Sequence, residues 1–424
     1  MSLEFKYYKI DDIGEVVSGG TPSTSKDEYW YGDIGWITPK DLSTYDDIYI
    51  SRGERNISSE GLNNSSAKLV PKNTILMTSR APIGYIAIAN NELSTNQGFK
   101  SLICDEKICH YKYFYYWLKL NIKYIINNAN GSTFNEISGG TFKNLEISLP
   151  SITEQKVISS VLWTLDEKIS VLKKINKNLV TLAKTIFRDK FIFYKGYESQ
   201  MIKTDVGEIP NTFEVKSVDE ISKDVVCGKT PSTKVEENYG DKMPFITIPD
   251  MHGNVFVIDT ERKLSEIGIK SQIKKILPEN SICVSCIATA GLVSLTSEES
   301  QTNQQINSII CKEDISPYFV YLYMEELSEY IKMLGSGGST TLNLNKREFG
   351  KIELVIPPQD DMIEFHGQIS PLFEKIKSNQ YEINFLMKLR DTLLPKLMSG
   401  EIDVSQINCD EILLVRIINI YIFA

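Results

Sequence analysis

Several segments of this chain carry residue types that could do chemistry, and each lacks a necessary companion. Pro249-Asp250 followed by Glu261-Arg262-Lys263 formally matches the acidic metal-binding pattern, with its accompanying lysine, of many nucleases. The matching stretch earlier in the chain, Lys40-Asp41 with Glu54-Arg55-Asn56, has no lysine. Cys283-x-x-Cys286 has zinc-ligand spacing, but no second Cys or His pair stands at ligand spacing. Gly228-Lys229-Thr230 resembles the end of a phosphate-binding loop, with Lys223 where the upstream glycine is required. The Gly335–Gly338 cluster has Thr340 where a dinucleotide fingerprint needs its third glycine. His110, His252 and His366 are far apart, and only His110 neighbours another candidate, Cys109. No nucleophile, base and orienting group come together. The expectation is a non-enzymatic chain with no metal and no cofactor.

What remains is polar, loop-borne and present twice. Gly19-Gly20-Thr21-Pro22-Ser23, Thr78-Ser79-Arg80, Thr95-Asn96-Gln97-Gly98 and Gly131-Ser132-Thr133 recur in kind as Gly228–Ser232, Ser285–Ile287, Thr302–Gln305 and Gly338–Thr340. Asn, Gln, Ser, Thr and Arg are the side chains that read base edges, and Lys neutralises phosphate. The candidates in the first copy are Thr21, Ser23, Lys26, Ser79, Arg80, Asn96, Gln97, Lys100 and Ser132. In the second they are Lys229, Thr230, Ser232, Ser285, Asn303, Gln304, Ser339 and Thr340. Turns need the same Gly, Asn, Ser and Thr, so each loop also has a purely architectural reading. Arg80 against Ile287 is the kind of difference that makes two copies read different sequences.

These loops belong to a repeat about 207 residues long. Phe142, Leu145, Glu146 and Pro150 return as Phe349, Ile352, Glu353 and Pro357, and Cys104 returns as Cys311. The period exceeds the roughly 20–50 residues of solenoid units, so whole domains are duplicated. The chain has 424 residues and a net charge of -9. Residues 1–150 carry 15 Lys+Arg against 17 Asp+Glu, net -2; residues 151–200 carry 9 against 5, net +4; residues 201–357 carry 16 against 23, net -7. No domain is a basic block, so DNA binding must rest on local loops or on a partner's charge. Scattered cysteines and the absence of a basic-then-apolar N-terminus point to a cytoplasmic protein without a signal peptide. Ile412–Ala424 is apolar but too short to span a bilayer, so no membrane role is expected.

Each repeat has two parts. The first is mixed α/β. Strands are expected at Thr74–Met77 and Ser281–Val284 after the turns Pro71-Lys72-Asn73 and Pro278-Glu279-Asn280, with long loops between such runs. Helices are expected at Tyr111–Ile126 and Tyr318–Leu334, and closing strands at Leu145–Leu149 and Ile352–Ile356. The second part is a long helix with heptad spacing. Its rows are Ile158, Leu165, Leu172, Leu179, Ile186 with Leu162, Ile169, Asn176, Ala183. The second copy gives Phe365, Leu372, Asn379, Leu386, Leu393 with Ile369, Ile376, Ile383, Arg390. Antiparallel pairing about position 174 makes every layer apolar except two. Asn176 faces Asn379 and sets register; Arg390 faces Leu165 and must extend outward to solvent.

At these residues the chain resembles the specificity subunit of Type I restriction-modification systems, over about residues 1–405. The resemblance rests on the Gly-Gly-Thr-Pro-Ser opening, Ser65-Ser66-Ala67-Lys68-Leu69-Val70-Pro71, Ser79-Arg80-Ala81-Pro82-Ile83-Gly84 and Thr95-Asn96-Gln97-Gly98. Leu149-Pro150 with Glu154-Gln155, and Leu394-Pro395-Lys396-Leu397-Met398-Ser399-Gly400, add to it. The second copy departs at Asp361-Met362, where the family usually has Glu-Gln, and at Ile287-Ala288-Thr289 in place of Arg-Ala-Pro. The resemblance implies two target recognition domains, 1–150 and 199–357, each followed by a spacer helix, 151–198 and 358–398, and then a tail, 399–424. It implies antiparallel helices and a non-enzymatic subunit that reads a bipartite double-stranded DNA site. It also implies two adenine-methyltransferase subunits as partners and, optionally, two restriction subunits. The competing readings are an autonomous nuclease or methyltransferase, or a scaffold that reads no DNA. A methyltransferase needs Asn/Asp-Pro-Pro-aromatic, and the only Pro-Pro is Ile356-Pro357-Pro358-Gln359.

Overall fold

The structure, a computed structural model, describes residues 4–129, 135–198, 200–335 and 343–404. The candidates Ser132, Ser339 and Thr340, and the apolar tail 412–424, lie outside them. The chain divides into two compact units, Met1–Ser170 with Leu386–Ala424, and Val171–Phe385.

The first unit is built on a five-stranded sheet. Its strands are β1 (Gly14–Ser18), β2 (Tyr49–Ile50), β3 (Ile75–Ser79), β4 (Ile83–Ala89) and β5 (Phe99–Cys104), in the order β1-β5-β3-β4-β2. Every residue of β3 is buried, which is why its sequence is a continuous run rather than an alternation. Asn73 enters it in the left-handed region, φ 71, a conformation that asparagine tolerates. Helix α1 (Tyr111–Asn127) buries Tyr113, Phe114, Tyr115, Tyr116, Trp117 and Leu118, and Asn121 inside it departs from helical geometry. Helix α2 (Ile152–Phe191) follows.

The second unit repeats this topology. Strands β6 (Ser222–Cys227), β7 (Phe256–Val257), β8 (Ile282–Ser285), β9 (Val293–Thr296) and β10 (Ile306–Cys311) run β6-β10-β8-β9-β7. In both sheets the last strand joins parallel and the other pairings are antiparallel. Asn280 has φ 62, as Asn73 has a positive φ. The single helix expected over Tyr318–Leu334 is two helices, α3 (Pro317–Glu326) and α4 (Ser328–Gly335). The Ser328 hydroxyl donates to the Gly291 carbonyl at 2.7 Å, which anchors the start of α4 to the loop before β9. Stretches expected as long loops hold short strands of a second small sheet, Trp30–Ile37 with Leu93–Thr95 and Leu69–Val70 in the first copy. A hairpin, Met201–Thr204 with Gly207–Pro210, is added before the second copy. Helix α5 (Gln359–Ser399) closes the described chain.

Within the second unit α2 and α5 run antiparallel. Asn379 Nδ2 donates to Asn176 Oδ1 at 2.7 Å, while Lys190, further along α2, meets Glu364, earlier in α5, at 3.0 Å. Beyond Ala183 the buried face moves to Phe187 and Phe191, and Ile186 and Ile383 are only partly buried. In the first unit Arg390 does not extend to solvent. Its Nη1 donates to Asp166 Oδ1 at 2.6 Å, and the Asp166 side chain is 4% exposed. Tyr116 of α1 donates to the other Asp166 oxygen at 2.7 Å. Leu389, 2% exposed, takes the interior position beside Arg390. A buried carboxylate thus supplies the partner that an apolar layer lacks. Burial opposes the Arg390 charge, but the Asp166 and Asp391 carboxylates together outweigh it and raise the pKa. Burial, then Asp166, drives the Tyr116 pKa up.

Candidate nucleic-acid interface

One end of each sheet gathers the recurring loops. In the first unit these are the C-terminal ends of β1 and β3 and the N-terminal ends of β4 and β5. The segment after β1 is fastened to the segment before β5. Gly20 N donates to Thr95 O at 2.9 Å, and the Thr21 hydroxyl donates to Gln97 Oε1. In the second unit Lys229 N donates to Thr302 O at 3.0 Å and Thr230 Oγ1 to Gln304 Oε1 at 2.6 Å. The glycines are dictated by this clasp. A Cβ on Gly19 would stand 2.2 Å from Thr95 O, and one on Gly228 2.1 Å from Asn303 O.

The candidates divide by position. Thr21, Ser23, Lys26 and Gln97 are exposed in the first unit, and Lys229, Ser232 and Gln304 in the second, with Thr230 half-buried. Lys26 donates to the Tyr29 hydroxyl at 2.9 Å. Asn96 and Asn303 spend their side-chain oxygens on turns, accepting from Gly98 N at 2.9 Å and Gln305 N at 3.0 Å. Ser79 and Ser285 are fully buried, so neither is a surface contact in this structure. Ser285 holds its own loop instead, donating to Thr289 O at 2.6 Å and accepting from Leu292 N at 2.8 Å. Its counterpart Thr78 does the same, donating to Pro82 O at 2.7 Å. Lys100 is 7% exposed, and burial lowers its pKa. Arg80 is half-exposed and meets Glu136 at 3.4 Å.

Glu136 is absent from the sequence-based candidates. The repeat offset could have found it, since it aligns with Asn343 as Arg80 aligns with Ile287. Two exposed arginines outside the sequence-based candidates lie against aromatic rings. Arg55 lies 3.9 Å from the Trp30 ring centroid, and Arg262 lies 5.7 Å from that of Tyr239.

The nuclease-like acids have a structural use. Asp41 accepts from Thr38 N and Glu54 N, both at 2.7 Å; Asp250 accepts from Thr247 N at 2.8 Å and Glu261 N at 3.0 Å. Each caps a short helix and holds the acidic segment against it. Cys283 and Cys286 are buried, and burial pushes both thiols up to about 12. Among the described residues no cluster of His, Cys, Asp and Glu is arranged to hold a metal ion. Nor is any described helix long and apolar enough to cross a membrane.

The profile of the Type I restriction modification DNA specificity domain matches this chain twice, at residues 3–181 and 210–384. The chain belongs to that family. It is 38% identical to the Type I restriction enzyme MjaIX specificity subunit of Methanocaldococcus jannaschii, over 94% of each chain. It is 34% identical to the HindI specificity subunit of Haemophilus influenzae, over 66% of this chain and 73% of that one. The S subunit of a Type I system from M. genitalium has the same fold, with a TM-score of 0.60 at 19% identity, covering 93% of this chain and 96% of that one. As a specificity subunit the chain is a non-catalytic component of its system.

Glu154-Gln155 stands at the start of α2, where the glutamine ties three segments together. Gln155 is fully buried at the start of α2. It accepts from His110 N at 2.9 Å and donates to Ile108 O and Pro150 O at 2.9 and 3.0 Å. The residue equivalent to His110 is Pro317, which has no N–H to offer. The residue equivalent to Gln155 is Met362, 2% exposed within the apolar core. The departure at Asp361-Met362 is thus a matched change.

Proposed function

We propose that the two repeats each read one half of a bipartite, asymmetric double-stranded DNA site. Residues 1–150 form one reader and 199–357 the other. The spacers 151–198 and 358–398 set the gap and dock two adenine-methyltransferase subunits, with two restriction subunits joining optionally. The complex acts in the cytoplasm. The observation that carries this reading is the sheet end built twice with the same clasp, Thr21 to Gln97 and Thr230 to Gln304, while neighbouring side chains differ. Two equal frames with unequal contents suit an asymmetric target.

The test is an exchange of residues 1–150 for the corresponding segment of a relative, followed by mapping of adenine methylation in cells. One half of the methylated sequence should change, with the other half and the gap preserved. Changes in both halves would refute independent reading. With a net charge of -9, the isolated chain should bind DNA weakly and the methyltransferase complex tightly. Nanomolar binding of the lone chain at physiological salt would contradict partner-supplied charge.

A further inference from the structure

Beside the clasp, each sheet end presents one pair of side chains from two separate segments. In the first unit the pair is Arg80, just after β3, and Glu136. The N–H of Ile137 donates to Ser79 O at 3.0 Å, which holds the Glu136 segment against the end of β3. Arg80 and Glu136 are 39% and 41% exposed. In the second unit the equivalent residues are Ile287 and Asn343, which form an antiparallel bridge. Leu344 N donates to Cys286 O at 3.0 Å, the same anchoring contact. Asn343 is exposed and Ile287 half-buried. The layer beneath changes in step. The buried Lys100 is close enough to feel the charges of both Glu136 and Arg80, while its counterpart Asn307 is neutral and donates to Leu344 O at 3.1 Å.

Fold support does not explain the first pair, because a half-exposed ion pair at this distance contributes about 0–1 kcal/mol. Its chemistry matches a base pair. A guanidinium fork donates to guanine O6 and N7, and a carboxylate accepts from cytosine N4. The second pair has the other complement: an amide bonds adenine N6 and N7, and an apolar side chain packs on the thymine methyl. We propose that Arg80 with Glu136 reads a G·C pair in one half-site, and that Ile287 with Asn343 reads a T·A pair in the other. This deepens, and rests on, the reading of the two repeats as DNA readers.

The experiment uses the reconstituted complex with its methyltransferase subunits. Methylation rates are measured on duplexes substituted one base pair at a time across both half-sites. The double variant Arg80→Ile with Glu136→Asn grafts the second pair onto the first repeat; Ile287→Arg with Asn343→Glu does the reverse. Each graft should change preference at one position of its own half-site, from G·C to T·A or the converse, by roughly 10–100-fold. The other half-site should be unaffected. If a graft fails to fold, Arg80→Lys and Glu136→Gln singly should each weaken discrimination at that same G·C position. A wild-type half-site without such a position overturns the proposal. So does a folded graft with unchanged preference, or one that loses methylation on every duplex. A wild-type complex that methylates with no sequence preference would instead sink the proposed function.

Discussion

The two repeats fasten their aromatic helix to the long helices by different means. In the first, Tyr116, Asp166 and Arg390 form a buried chain of bonds at 2.7 and 2.6 Å. In the second, the equivalent places hold Tyr323, Phe373 and Ala183. Phe373 stacks on Tyr318 with centroids 4.4 Å apart, Ala183 is fully buried, and the Tyr323 hydroxyl accepts from Val355 N at 3.0 Å. The same backbone plan therefore accepts an ionic or an aromatic joint. The ionic joint is directional but carries the desolvation cost of two charges; the aromatic joint gains from buried area and ring stacking without that cost.

The largest effect should come from breaking one side of the ionic joint. Asp166→Ala leaves Arg390 only the exposed Asp391 and strands the buried Tyr116 hydroxyl, and should cost about 3–5 kcal/mol in chemical denaturation. Asp166→Phe combined with Arg390→Ala copies the second repeat and should recover most of that loss. No recovery would show that the two joints are not interchangeable. Next comes the helix start. Gln155→Met strands the His110 N–H and two carbonyls and should cost about 2–4 kcal/mol. Met362→Gln should cost about 1–3 kcal/mol, because Pro317 supplies no donor. A neutral outcome for either would dissolve the matched-pair account. Gly19→Ala and Gly228→Ala sharpen the comparison from the opposite side. Both meet backbone oxygens, so both should cost about 1–3 kcal/mol, and each should impair its own half-site in the methylation assay. Unequal losses would mean that the clasps differ. The smallest effect, with the opposite sign, is expected at the amide pair. Asn379 Oδ1 is buried without a partner among the described residues. Asn176→Leu with Asn379→Leu should raise the melting temperature by a few degrees, about 1 kcal/mol, while relaxing the gap length accepted by the complex. A drop in melting temperature would refute that balance.

Much of the architecture was legible because duplication preserves residues where turns admit few alternatives. Asn73 and Asn280 stand in left-handed conformations that most side chains resist, and Gly19 and Gly228 sit where no Cβ fits. Heptad spacing exposed the long helices for the same kind of reason. The seam itself drifts, since 3.6 residues per turn does not match a period of seven. Phe187, Phe191 and Leu389 therefore take interior places that a strict heptad gives to others. The site was less legible. A serine that holds a turn and a serine that touches a base are the same letter, and only burial separates Ser285 from Ser232. Asp166 and Arg390 are 224 residues apart, so no local spacing betrays them. The register that set Arg390 against Leu165 had already brought it within one residue of Asp166.

The bond from His110 to Gln155 also limits how readers can be traded between genes. A crossover near residue 150 delivers one partner of that bond without the other. An incoming cassette with an ordinary residue at the His110 position finds its acceptor waiting in the recipient helix. A cassette with proline there leaves a carboxamide stranded in the interior. For a cassette with proline at that position the compatible breakpoint therefore lies inside the first turns of α2, beyond Gln155, whereas a cassette with any other residue there can join at Pro150. Shuffling among these genes is constrained by one amide at the joint, and successful mosaics should be recognisable by it.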